Sequence, residues 1–308
     1  RRAAQLAYNE EQGITPESAE SEISSLREMG SWSRAERAHR RTIGFVPTMG
    51  YLHEGHLRLV DRARELSDRV VLSIFVNPLQ FGPHEDLARY PRDLNRDRQL
   101  ADGRGVDCLF IPDTTAMYPG EPLAPVVPGP PADTLEGVAR PGHFTGVLTV
   151  VAKLFHLVEP DVAVFGRKDF QQAMLVKRLV RDLDFPITID IAPTVRELDG
   201  LALSSRNTYL TPDDRRNALA LSRALRLLEQ NWRGGEADPA KLQRAGMDAM
   251  RSSGALPEYC ALVDEDLQPV TRVTARTVAV VAARVGKTRL LDNVVLGEGI
   301  GADLRVAP

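Results

Sequence analysis

Phe45-Val46-Pro47-Thr48-Met49-Gly50-Tyr51-Leu52-His53-Glu54-Gly55-His56 runs from apolar residues into a proline, two glycines and two histidines. The stretch 42–47 reads as a short buried strand, and 54–67 carries Leu57, Val60, Ala63 and Leu66 at helical spacing. His53 and His56 therefore fall where a strand hands over to a helix. Free backbone N–H groups and the helix dipole attract anions there, phosphates above all. Gly50 and Gly55 lack a Cβ and let a ligand lie close to the main chain. An ordinary surface pair at a helix start is the competing reading. A zinc helix fits less well, since it needs a different histidine spacing with the glutamate between them.

Outward from this stretch, strands and helices alternate. Strands are expected at 42–47, 69–76, 107–111, 161–165 and 187–192, with helices at 54–67, 93–103, 146–157 and 169–183. Apolar runs without alternation, separated by helices, predict a parallel sheet covered on both faces. The fold class expected is α/β, a Rossmann-like doubly wound parallel sheet with a smaller C-terminal α+β domain. Ligands of such sheets bind beyond the carboxyl ends of the strands. Residues 1–41 are polar and read as an N-terminal extension, a mobile tail followed by a helix over 17–39 anchored by Ile23, Leu26, Met29 and Trp32. The proline-rich stretch 119–131 reads as a surface loop. After residue 194 the pattern changes to helices at 212–230 and 239–252 and strands at 258–263, 276–284 and 288–296. The expected division is a Rossmann-like binding domain over 42–194 and a C-terminal lid domain over 195–308.

The chain has 308 residues, 43% hydrophobic and 26% charged, which suits a soluble globular protein with a full core. A net charge of −3 offers no general attraction to nucleic acid or anionic membrane, so a polyanion must be held by a local site. Cys108 and Cys260 are far apart in sequence and read as reduced thiols of a cytosolic protein. No long uncharged apolar run suggests a membrane span, and no signal-peptide pattern opens the sequence.

Further polar clusters follow the strands. Asn77 and Gln80 are neutral amides after the second strand, suited to a small polar substrate. Asp97, at a helix start, is a candidate Mg²⁺ contact beside a bound polyphosphate. Phe165-Gly166-Arg167-Lys168-Asp169-Phe170-Gln171-Gln172 repeats the opening design of strand, glycine, cation and helix start, with Lys168 a point charge for phosphate. Asp169 could equally cap that helix. Leu203-Ser204-Ser205-Arg206-Asn207 sets two hydroxyls beside an arginine behind the hinge glycine Gly200. Together these supply the donors needed to bring two anions together.

The segments 47–56, 75–92, 140–155, 165–172, 193–207 and 288–296 resemble, in order, those of the pantothenate synthetase family, ATP-dependent ligases that join pantoate to β-alanine. The resemblance covers residue 42 to the C-terminal end, and makes 42–194 the nucleotide- and pantoate-binding domain. It implies a pantoyl adenylate intermediate with release of pyrophosphate and then AMP, with Mg²⁺ as cofactor. It implies catalytic roles for His53, His56, Lys168 and Arg206. ATP contacts are implied along Met49, Gly50, Tyr51, Leu52, His53, Glu54, Gly55 and His56. Gly166, Arg167, Lys168, Asp169, Val195, Leu203, Ser204, Ser205 and Arg206 would add to them. Gln80 and Gln172 would hold pantoate, Gln80 would also meet β-alanine, and Asp97 matches an acid near Mg²⁺. A cytoplasmic homodimer binding these three small molecules, with no nucleic acid or membrane partner, completes the expectation.

The sequence departs from the family pattern at Tyr51, Leu79, Leu203 and Arg167; the last stands where glutamate is usual and reverses a charge beside Lys168. Two readings compete, a nucleotidyltransferase of the same superfamily and a nucleotide binder that has lost activity. A tRNA synthetase is disfavoured because no basic RNA-binding domain follows Arg206.

Overall fold

The computed structural model describes residues 21–306. Strand β1 (Ser21–Ile23) is followed by α1 (Leu26–Ala38), β2 (Ile43–Thr48), α2 (Glu54–Leu66), β3 (Arg69–Ile74), α3 (Leu94–Gly103) and β4 (Cys108–Phe110). Then come α4 (His143–Val158), β5 (Val162–Gly166), α5 (Phe170–Asp182) and β6 (Thr188–Ala192). The six strands form one parallel sheet in the order β1-β4-β3-β2-β5-β6. Winding proceeds from β2 through β3 to β4 on one side and restarts at β5 on the other, the doubly wound pattern expected.

Alternate residues of each strand serve opposite faces. Phe45, Val71 and Ala163 join one core with Val151 and Phe155 of α4, while Val46, Leu72 and Val164 join another with Val60 and Ala63 of α2. Both faces are thus covered, which explains the unbroken apolar runs in the sequence. The expected strands all form, with ends displaced by a residue or two.

The N-terminal region differs from its expectation. Ser21–Ile23, placed within a helical extension, is an edge strand paired with Cys108, Leu109 and Phe110. The helix starts only at Leu26, where Ser25 caps it by accepting from the Glu28 N–H at 3.4 Å. Ile23 and Met29 are buried in the main core, so residues 21–38 are part of the sheet layer. The expected tail and the first turn of that helix, residues 1–20, lie outside the described residues.

Beyond β6 come β7 (Val195–Glu197), α6 (Pro212–Arg233), α7 (Pro239–Ser252), β8 (Leu256–Val263), β9 (Val278–Val285), β10 (Thr288–Val295) and β11 (Leu304–Val306). The antiparallel sheet β10-β9-β8 packs on α6 and α7 around its own core, which includes Leu225, Leu228, Val281 and Val285. Strand β11 pairs in parallel with β7, beyond the last strand that the sequence pattern predicts. The two units meet at Glu136, which accepts from Arg289 at 2.5 and 2.8 Å and from the Tyr259 hydroxyl at 2.7 Å.

Candidate active site

The site arises where the sheet winding reverses. Strand β2 pairs with β3 along its whole length, but with β5 only at Gly44–Val162 and Phe45–Ala163. Beyond Phe45 the two strands part. Pro47, which has no N–H to leave unpaired, stands at the divergence. The gap opens into a cavity of about 240 Å³ whose floor includes Pro47, Thr48, Val164 and Phe165. This is the switch-point crevice in which open α/β sheets hold ligands.

One wall is the loop from Met49 to His56. Gly50 and Tyr51 both have left-handed backbones, φ 80° and 49°, and a Cβ on Gly50 would lie 2.8 Å from Ile74. Asp97 holds this turn: its carboxylate accepts from the Tyr51 and Leu52 N–H groups, each at 2.7 Å. Burial pushes the Asp97 carboxyl above its ordinary value, against the pull of those two amides. Asp97 is 1% exposed and absent from the cavity lining. It faces instead an adjoining pocket that it lines with Met49, Gly50 and Tyr51, and its two bonds to the loop give it a structural duty there. Tyr51 lies under the Arg96 guanidinium, 5.6 Å from its ring centroid, and does not line the cavity.

The histidines cap α2 reciprocally. His53 Nδ1 accepts from the Gly55 N–H at 3.1 Å, and His56 Nδ1 accepts from the His53 N–H at 3.3 Å. With Nδ1 an acceptor, a neutral ring carries its proton on Nε2. The ring centroids are 4.0 Å apart. Burial lowers the His53 pKa to about 2, with help from His56, Lys168 and Arg96. Burial likewise lowers His56 to about 4, Asp169 opposing and Lys168 assisting. Both are neutral Nε2–H donors at a helix start, on the cavity wall.

Facing them, the turn Arg167–Asp169 follows β5. Gly166, Lys168 and Asp169 line the cavity, Lys168 Nζ lying 3.8 Å from Asp169. Arg167 does not line it. Its guanidinium points toward the C-terminal segment, pairing with Glu298 and, at 2.9 Å, with Asp303. The positive charge at this position is thus matched by two carboxylates outside the cavity lining.

The fourth side is the loop around 203–206. Ser204, Ser205, Arg206, Leu203 and Val195 line the cavity. The loop is docked on 82–90: Arg206 reaches Asp86 at 3.0 and 3.1 Å, and the Tyr90 and Ser205 hydroxyls are 3.0 Å apart. Burial works to raise the Asp86 carboxyl, and Arg206 outweighs it, leaving the carboxyl below its ordinary range.

Gln80 and Gln172 both line the cavity. Gln80 is oriented by its amide, which donates to Met49 Sδ at 3.1 Å and accepts from Asn77 Nδ2 at 3.1 Å. Sequence reasoning gave no role to Tyr90, Arg140 or His143, yet all three line the cavity. His143 Nδ1 donates to the Gln80 carbonyl at 2.9 Å, leaving Nε2 to accept from Arg140 at 3.1 Å. Arg140 is anchored by Glu85 at 2.6 and 2.7 Å. The signal was present in Gly142-His143, a glycine and histidine at a helix start like Gly55-His56.

Of the residues singled out from sequence, Met49, His53, Gly55, His56, Gln80, Gly166, Lys168, Asp169, Gln172, Val195 and Leu203 to Arg206 converge on one cavity. Gly50, Tyr51, Leu52, Glu54, Arg167 and Asp97 do not line it. Leu52 is fully buried and Glu54 pairs with Arg104 at 2.7 Å; both shape the loop from behind. Among the described residues no group of three or more histidine, cysteine or acidic side chains gathers as a metal site.

Comparison with known proteins gives the family. Residues 21–295 match the family model described as Pantoate-beta-alanine ligase. A curated protein named pantothenate synthetase, from Moorella thermoacetica, is 52% identical over 279 residues, covering 89% of this chain and 98% of its own. The crystal structure of pantothenate synthetase from Thermus thermophilus superposes with a TM-score of 0.84 at 48% identity, over 90% of this chain and 99% of that one. The pantoate-beta-alanine ligase of Francisella tularensis, complexed with beta-gamma ATP and β-alanine, gives a TM-score of 0.77 at 35% identity, over 91% of this chain and 98% of that one. With its sheet, its switch-point cavity and these likenesses in agreement, the chain belongs to the pantoate–β-alanine ligase family.

Proposed function

We propose that the chain condenses pantoate with β-alanine at the expense of ATP, through a pantoyl adenylate. A pantoate carboxylate oxygen attacks the α-phosphorus and pyrophosphate leaves. The β-alanine amine then attacks the acyl carbon, AMP leaves with the electron pair of the broken C–O bond, and the amine sheds a proton. The observation that carries this reading is the convergence of His53, His56, Lys168, Gln80, Gln172 and the 203–206 loop on one switch-point cavity.

Two anions must meet in the first step, so the chemistry required is charge stabilisation. Preorganised donors aimed at developing charge supply it. His53 and His56 offer Nε2–H groups to phosphate oxygens from a helix start whose own N–H groups favour anions. The transferred carboxylate carries no proton, so neither ring need give or take one. Lys168 adds a full charge across the cavity. Gln80 and Gln172 orient pantoate as neutral amides, which leaves its carboxylate free to attack.

Mg²⁺ bound to the phosphates would relieve repulsion during the attack. Asp169, which lines the cavity with a side chain 52% exposed, would be placed to hold it; Asp97, each of whose oxygens accepts one loop amide and keeps a second lone pair, would approach it from the adjoining pocket. A homodimer in the cytoplasm belongs to the same reading, with sedimentation as the check on assembly.

Heavy-oxygen label in the pantoate carboxylate tests the intermediate. Transfer of one labelled oxygen to AMP is expected; unlabelled AMP would overturn the adenylate.

A further inference from the structure

The turn bearing Lys168 belongs to the first unit but is held by the second. Asn293, on β10 and 2% exposed, donates both Nδ2 hydrogens to this turn: to the Arg167 carbonyl at 2.8 Å and the Lys168 carbonyl at 2.9 Å. Asn293 is itself fixed, its N–H donating to Asp292 at 2.8 Å and its carbonyl accepting from Arg196 at 3.2 Å. Arg196 is fully buried and pairs with Asp292 at 2.6 and 2.8 Å and with Asp303 at 2.6 Å. Asp303 lies beyond the residues matched by the family model, and its other oxygen takes Arg167. The network therefore closes on the same turn from two directions, through main chain and side chain.

Neither Asn293 nor Asp303 lines the cavity. Asn293 and Lys168 do both line a small side pocket that shares Lys168, Asp169 and Gln172 with the cavity. We propose that Asn293 is a positioning residue for Lys168: its two-carbonyl clasp sets where the ammonium stands, and makes that placement depend on the docking of β10. The inference rests on the phosphate-binding role given to Lys168 above.

A double-mutant cycle on the full chain tests it, reading ATP affinity by calorimetry and kcat/KM for ATP in pantoate-dependent pyrophosphate release. Misplacing a reacting group by an ångström costs up to about 100-fold, so Asn293→Ala should lower kcat/KM by about 10- to 100-fold and weaken ATP binding. In a Lys168→Ala background the same change should alter ATP affinity by less than about two-fold, because the group it positions is gone. Losses that multiply across the two backgrounds would overturn the proposal and leave Asn293 a structural cap. Should Asn293→Ala not fold, Asn293→Ser keeps one shorter donor and is read by the same cycle. Wild-type protein that releases no pyrophosphate with pantoate would instead strike the functional reading.

Discussion

At the scale of single residues, the site is defined by what its side chains are denied. His53 and His56 spend Nδ1 on backbone amides, which leaves one donor each for a ligand. His56→Ala should reduce adenylate formation by about 10²- to 10³-fold, the usual effect of removing one preorganised donor, with the melting temperature little changed. An unaltered rate would remove His56 from the site. The same burial makes stability pH-dependent. His53 at about 2, and His56 and His143 at about 4, all lie below the ordinary 6.5. Between pH 6.5 and 4 the unfolded chain takes up protons that the folded chain refuses, so stability is lost as pH falls through that window. Thermal melts across it should show the decline and a shallower slope for His143→Gln; equal slopes would contradict it. Asp97 offers a third check. Asp97→Asn turns an amide toward a backbone N–H and should cost about 1–3 kcal/mol. Urea unfolding measures that loss.

At the scale of elements, two packings decide the cavity's shape. Helix α4 passes so close to the loop after β3 that a Cβ on Gly146 would lie 2.2 Å from the Leu79 carbonyl oxygen. The Gly146 carbonyl also accepts from Asn77, which in turn orients Gln80. Gly146→Ala should therefore destabilise by about 1–3 kcal/mol and raise KM for pantoate more than KM for ATP. Equal effects on both substrates would argue against Gln80 as the pantoate contact. The second packing is the 203–206 loop on 82–90, fastened by Arg206 to Asp86 and by Ser205 to Tyr90. Asp86→Asn removes the charge partner, and trypsin should then cut after Arg89 or Arg206 faster than in the wild type.

At the scale of the whole molecule, the architecture was legible because its cause is local. A strand buried on both faces must be apolar throughout, and a helix on a sheet must be apolar at helical spacing, so runs such as 69–74 beside 54–66 declare themselves. Strand β1 did not, because Ser21 and Glu22 carry no strand signal and the pairing with Cys108 and Leu109 makes them one. The site was legible as a set of donors at strand ends. Its wiring was not, because Arg167 facing Asp303, Asp97 beneath Tyr51 and His143 on the Gln80 carbonyl join residues dozens of positions apart. Sequence proximity puts Arg167 beside Lys168 in the cavity; packing turns it away.

The central claim is that one cavity performs two ordered steps on three small molecules. Pyrophosphate release from ATP and Mg²⁺ should require pantoate alone, and AMP release should then require β-alanine. Pyrophosphate that appears only when β-alanine is also present, or no pyrophosphate from protein that binds ATP, would contradict the account.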